Sequence, residues 1–405
     1  MPKSRNLTWP ALLVIAVGLM VAAVLGLFLY VDATMTPLHP DPQKVSSVTH
    51  SVPPAKWTDA VAQARQVAVA GLAGQNLPGL SVAVGVGNGI VWAEGLGWAD
   101  HEKREPVSPD TRFRITGASI PLTSAAVGLM LENHQLNLDE QIQTYVPAFP
   151  KKQWPVTLRQ VMAHMAGLRD DGGDEVPQSR SCERAADGLS GFADRPLLFE
   201  PGSRFSFSSY GWILVSATVE AVADEPFFTF MRKQIFEPLG MAGTTPDSAT
   251  EPLPERATLY FPRMAAEPRY GPELAQGGGY SCFAGSGGFL STPSDLVRFG
   301  MALGGGKLLQ PATVALLQTP QRRASGEETG YGLGWDLGTV PLAGGHTRMA
   351  GHDGRFGMGG SSSLITLREY GIVVAVTTNI SYADTRSIAL KIAAAFAEGH
   401  VMKGR

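Results

Sequence analysis

Few positions in this 405-residue chain combine side chains at a spacing that could do chemistry. Thr116 and Ser119 stand at the start of an apolar helical stretch, where the positive end of the helix dipole favours a developing negative charge. A hydroxyl there becomes a nucleophile only beside a base, and a residue three positions on shares its helix face. Thr116 is followed at that spacing by Ser119, and Ser119 by Leu122, so neither has a base. His352-Asp353-Gly354 is the second candidate, since the glycine lets a ligand backbone approach and the histidine can hydrogen-bond it. His101, Glu102 and Glu105 lie close together in a charged, turn-like context that reads as a solvated loop. No His/Cys/Asp group has metal-site spacing, so neither metal nor cofactor is implied. Gly277-Gly278-Gly279 and Gly285-Ser286-Gly287-Gly288 lack the Gly-Lys-Ser/Thr of a phosphate loop. With 33 basic against 36 acidic residues, nothing points to nucleic acid.

These candidates need a scaffold, and the periodicity supplies one. Trp57 to Leu72 has apolar residues at helical spacing, and Leu80 to Val86 and Ile90 to Trp98 read as strands turning at Gly87-Asn88-Gly89. The C-terminus mirrors that order, with strands at Ser361 to Leu367 and Gly371 to Thr378 and a helix at Thr385 to Glu398. One antiparallel sheet can therefore use both ends of the domain. Helical stretches at Ala118 to Asn133, Thr157 to Ala166, Ser209 to Ala223 and Pro226 to Phe236 form a mostly helical lobe between them. Thr292-Pro293-Ser294-Asp295 starts a further helix running to about Leu303, with a hydroxyl cap and Pro at the first helical position. The fold class is α/β in the α+β sense, an antiparallel sheet flanked by helices.

Several blocks, in this order, resemble the serine β-lactamase and penicillin-binding-protein-like family: Phe113-Arg114-Ile115, Glu132 to Asp139, Leu158 to Leu168, Phe199-Glu200-Pro201-Gly202, Ser209-Tyr210-Gly211-Trp212, Gly287 to Thr292 and Gly351-His352-Asp353-Gly354. The resemblance runs from about Trp57 to the C-terminus and is greatest to the class C-like branch of esterases, D-aminopeptidases and mitochondrial lactamase-like proteins. It implies a β-lactamase/transpeptidase-like fold and a serine acylated with the help of a lysine three residues on, a loop tyrosine, and a Lys-x-Gly or His-x-Gly strand. Here the serine position falls on Gly117, the lysine position on Ile120 and the tyrosine position on Phe207, with Ser209 at the polar position two residues later. No catalytic side chain is intact. Ser119 is rotated about 200° from the nucleophile position along a helix, and Tyr210 falls where the family packs an aromatic. His164 aligns with a structural histidine that ends a helix. What remains is a ligand-binding set of Gly117, Phe207, Ser209, His352, Asp353, Gly354 and Arg355.

The rest of the chain places this domain. Ala11 to Val31 is uncharged and long enough to span a membrane, with Lys3 and Arg5 before it and Asp32 after. A cleaved signal peptide is the competing reading, with Val31-Asp32-Ala33 as the cleavage site. The expected organisation is a cytoplasmic N-terminus (1–10), a transmembrane anchor (11–31), a Pro-rich linker (32–55) and a β-lactamase-related domain (56–401). Cys182 and Cys282, the only cysteines, can pair in an oxidising compartment, or remain two thiols. The expectation is a single-pass inner-membrane protein with a periplasmic domain, binding or regulating through peptide or cell-wall-fragment ligands or a protein partner of unknown kind. The alternative is an active esterase, peptidase or β-lactamase-like enzyme with a displaced nucleophile.

Overall fold

The computed structural model describes residues 9–170, 181–248, 253–275, 278–355 and 359–403, so Gly277 and residues 1–8 of the expected cytoplasmic N-terminus lie outside the described residues. Trp9–Ala33 forms one helix, α1, long and apolar enough to cross a membrane. Its 25 residues rise roughly 37 Å, a little more than a hydrocarbon core. Only Val31 on it is buried.

The segment read as a Pro-rich linker lies against the domain instead. Its backbone finds polar partners there, which composition alone does not reveal. Asn76 accepts from Leu38 N–H at 2.8 Å and donates to the Thr36 carbonyl, while His39 Nε2 donates to the Leu77 carbonyl at 2.9 Å. Ser47–Thr49 (β1) then pairs with the edge of the main sheet.

Helix α2 (Thr58–Gly74) leads into the hairpin β2 (Gly79–Val86) and β3 (Gly89–Asp100). Helices α3 (Ser119–Glu132) and α4 (Ser209–Ala223) carry the central lobe, and α5 (Pro293–Gly304) returns to the sheet. Strands β4 (Asp336–Leu342), β5 (Gly345–Gly354), β6 (Ser361–Leu367) and β7 (Ile372–Thr378) follow, then α6 (Thr385–Lys403). The antiparallel order is β1-β3-β2-β7-β6-β5-β4, with Glu105–Pro106 pairing on β3. The two ends of the domain meet in the middle of this sheet, where Ala83 of β2 lies opposite Ala375 of β7.

Both faces of the sheet are covered, which explains the unbroken apolar run of β7. Ile372, Val374 and Val376 pack under α2 and α6 with Leu72 and Phe396, whereas Val373 and Ala375 face α5 and the helical lobe. This is the period-2 alternation of a strand buried on both sides. The helix expected over Thr157 to Ala166 is shorter, Leu158–Met162 with Thr157 in a capping box, because His164 takes a left-handed conformation at φ 56°. The hairpin of β4 and β5 was not foreseen from periodicity, since its glycines and alternating polar residues dilute the apolar signal.

Cys182 and Cys282 form a disulfide across 100 residues of sequence. Closing so long a loop restricts the unfolded chain, typically by about 2–4 kcal/mol. The pair Cys182→Ala/Cys282→Ala should lower the unfolding free energy of the detergent-solubilised chain by that amount in a denaturant titration. An unchanged midpoint would show that the bond contributes nothing.

Candidate functional site

The start of α3 and the end of β5 meet backbone to backbone. Phe113-Arg114-Ile115 is held from behind by buried Arg114, which pairs with Asp247 and lies 4.0 Å over the Tyr280 ring. Asp247 also takes Arg256 Nη2 at 2.9 Å. Removing one partner of such a buried pair costs about 3–5 kcal/mol, so the segment is firmly placed. A tight turn over Thr116–Ala118 then opens α3. Thr116 sits at φ 45°, a left-handed conformation disfavoured for a β-branched residue, and its hydroxyl is buried without a hydrogen-bond partner among the described residues.

Gly117 faces the main chain of β5. A Cβ built on it would stand 2.3 Å from the Asp353 carbonyl oxygen and 3.2 Å from His352 Nδ1. The contact is reciprocal, since a Cβ on Gly354 would stand 1.5 Å from Thr116 Oγ1 and 2.5 Å from Gly117 N. β4 stops at Asp336, opposite Gly351, which leaves His352-Asp353-Gly354 unpaired on that side. Thr116 and Gly117 take up that edge.

Behind the contact runs a buried chain of hydrogen bonds whose direction its end groups fix. Ser208 N–H donates to His164 Nδ1 at 3.1 Å, so this nitrogen carries the lone pair and Nε2 the proton. His164 Nε2–H then donates to the Tyr331 hydroxyl at 3.2 Å. At the far end His352 Nδ1 lies 2.9 Å from the Asp353 carbonyl, an acceptor only, so Nδ1 holds the proton and Nε2 accepts from the Tyr331 hydroxyl at 2.8 Å. Both histidines are thereby neutral. Burial holds the pKa of His164 well below its ordinary value, with His352 adding to the effect, and burial likewise lowers His352 and raises the Tyr331 phenol. The Phe207 ring closes the group, 4.4 Å from the His164 ring between centroids.

Asp353 is engaged as fully. Ser363 Oγ donates to its Oδ1 and Arg386 Nη1 to its Oδ2, each at 2.7 Å, and Arg386 also pairs with Asp336. Of the expected ligand-binding set, His352 and Asp353 thus spend their side chains on protein groups. Gly117, Phe207 and Ser209 keep partial exposure, Arg355 is exposed, and Gly354 is buried against the turn. Ile120 and Ser119 are fully buried, and the Ser119 hydroxyl has no partner among the described residues. Tyr210 is buried and stacked 4.3 Å from Phe192. The described residues hold no cluster of His, Cys, Asp or Glu fit for a metal ion.

Two residues at the centre of the site went unread in the sequence. Tyr331 is an aromatic set between Gly330 and Gly332, an unusual place for a bulky side chain without a docking role. Arg386 occupies the first turn of α6, where a cation opposes the helix dipole and so needs a specific anion, here Asp353 and Asp336.

The sequence profile of the family described as beta-lactamase matches residues 64–397. The serine beta-lactamase-like protein LACTB, mitochondrial, of Bos taurus is 27% identical over an alignment covering 79% of this chain and 76% of that protein. Penicillin-binding protein 4* of Bacillus subtilis is 26% identical over 68% of this chain and 62% of its own. In fold, the octameric penicillin-binding protein homologue from Pyrococcus abyssi superposes with a TM-score of 0.71 at 22% identity, covering 85% of this chain and 78% of that one.

Three buried histidines, two of them in this hydrogen-bond chain, set a pH dependence. His39, His164 and His352 all have folded pKa values below the ordinary 6.5, through burial above all. Below about pH 6.5 the unfolded state gains protons that the native state refuses, so stability is full above that pH and falls as pH drops beneath it, by up to about 1.4 kcal/mol per unit for each group. Thermal unfolding from about one pH unit above that point to about one and a half below it should show the midpoint flat and then falling. Tyr331→Phe leaves a buried imidazole N–H and a buried imidazole lone pair unmet, and should cost about 2–4 kcal/mol.

Proposed function

This chain belongs to the β-lactamase family, and we propose that it is a membrane-anchored member that forms no acyl-enzyme and serves as a binding or regulatory module. The observation that carries this reading is Gly117. The residue in the nucleophile position lacks a side chain and has no room for one, because the Asp353 carbonyl stands where a Cβ would go. Ile120 and Phe207, at the lysine and tyrosine positions, supply neither base nor hydroxyl. In a serine protease, losing nucleophile or base alone costs roughly 10⁶-fold in turnover. The hydroxyls beside the nucleophile position, those of Thr116 and Ser119, are buried and have no lysine three residues on, which weakens the alternative of a displaced nucleophile.

The anchor reading rests on the apolar surface of α1 and on Lys3 and Arg5 before it, which favour a cytoplasmic N-terminus and an extracytoplasmic domain. In a Gram-negative-type envelope that is the periplasmic face of the inner membrane. The exposed Arg355, the partly exposed ring of Phe207 and the start of α3 suit a peptide or cell-wall fragment carrying a carboxylate.

Incubating the full chain with a fluorescent penicillin and with a fluorophosphonate ester should leave its intact mass unchanged. A stable adduct on any serine would overturn the reading and favour the displaced nucleophile. Gly117→Ser combined with Ile120→Lys and Phe207→Tyr restores the three family side chains, yet should remain unlabelled and lose stability, since the first change alone forces backbone apart at a cost of about 1–3 kcal/mol. Calorimetry with purified cell-wall peptide fragments should show Arg355→Ala binding roughly tenfold more weakly, about 1.4 kcal/mol.

A further inference from the structure

The C-terminal end of α1 is clamped to the domain. A helix end leaves its last carbonyls without intrahelical donors. Here Arg263 Nη2 donates to the Val31 carbonyl at 3.2 Å and to Thr34 Oγ1 at 3.0 Å, while Thr34 Oγ1 donates to the Tyr30 carbonyl at 2.8 Å. Arg263 belongs to the hairpin of Tyr260–Pro262 and Pro272–Leu274, whose base is bonded to the main sheet through Tyr260 N–H and the Asn379 carbonyl. The chain leaving the helix has no slack either. Asn76 Nδ2 donates to both the Thr36 and Arg269 carbonyls, and His39 ties the next residues to the end of α2. Val31, the one buried residue of α1, lies at this junction.

We propose that the hairpin of residues 260–274 is a membrane-facing foot that seats on phospholipid headgroups and fixes the orientation of the domain against the bilayer. The inference rests on reading α1 as the anchor. A membrane-spanning helix brings its terminal carbonyls to headgroup depth, and whatever caps those carbonyls must lie at the same depth. Arg263 is therefore placed there by its bonds. Arg269, also exposed, shares the Asn76 amide with Thr36 through its carbonyl and donates from Nη2 to the Tyr270 hydroxyl, and it adds a second guanidinium at the level of the lipid phosphates. Between them the turn offers exposed Ala265 and Ala266 and the half-exposed Met264, small or apolar groups that an interface accepts.

The test uses the full chain in phosphatidylcholine–phosphatidylglycerol vesicles. Both native cysteines are in a disulfide, so Ala265→Cys and, as a control outside the hairpin, Ser325→Cys on the exposed 322–328 turn each provide one labelling site. A fluorophore at 265 should be quenched several-fold more than one at 325 by lipids carrying a nitroxide on the headgroup. Arg263→Ala should bring the two labels close to equal while the protein still floats with the vesicles. Equal quenching in the otherwise native chain would overturn the foot but leave the anchor standing. Failure to float with vesicles would overturn the anchor, and the foot with it.

Discussion

The contact between Gly117 and the Asp353 carbonyl is the constraint on which the rest of the site depends. Two main-chain segments can approach that closely only where neither carries a Cβ between them, and Gly117 and Gly354 meet this condition on the two sides. Once they touch, the open edge of β5 beyond Gly351 is covered by the turn before α3. A carbonyl that would otherwise face a cleft instead accepts from the imidazole of His352. That bond fixes the tautomer of His352, which fixes the direction of the Tyr331 hydroxyl, which in turn sets His164 as donor.

This ordering has an energetic logic. A buried histidine carrying a charge would need a paired anion, and a buried imidazole with one unmet nitrogen would cost roughly 1–3 kcal/mol. The chain from Ser208 N–H to the Asp353 carbonyl avoids both, because every imidazole nitrogen and the phenol between them is matched while the whole stays neutral. Asp353, a full charge at the edge of the group, is met by Arg386 and Ser363. Acyl transfer asks for the opposite, a base held ready and a nucleophile left reachable. The two imidazoles and the phenol here satisfy one another.

Much of this was legible in the residues, and what was not has physical causes. The central strands and the helices around them followed from apolar period, because β2, β6 and β7 are buried and α3, α4 and α5 have clear apolar faces or caps. The absence of side-chain chemistry at Gly117, Ile120 and Phe207 was also readable, since it needs only the residue types at the family's positions. Distance was not readable. Nothing in Gly117 or Gly354 alone says that they touch, and the contacts joining Tyr331 to His164 and Arg386 to Asp353 span 167 and 33 residues. The stretch after α1 misled for a related reason: prolines and polar residues argue against a core, but they do not prevent a segment from being hydrogen-bonded along a surface that another part of the chain provides.

The clamp at the end of α1 also changes how that helix and the site relate. A flexible spacer would leave the domain independent of the helix. Here Arg263 joins the helix end to the 260–274 hairpin, Ser381 N–H donates to the Tyr260 carbonyl, and Tyr382 N–H donates to the carbonyl of Arg355 at the mouth of the site. The path from the helix to Arg355 is thus a short series of hydrogen bonds along main chain, through the buried Tyr260 and residues 379–382. Any movement of the helix end must either break one of these bonds or shift residues 379–382, and residues 379–382 hold both the base of the hairpin and Arg355. Arg355 is an exposed charge beside the closed contact of Gly117 with Asp353, and this path ties it to the end of α1.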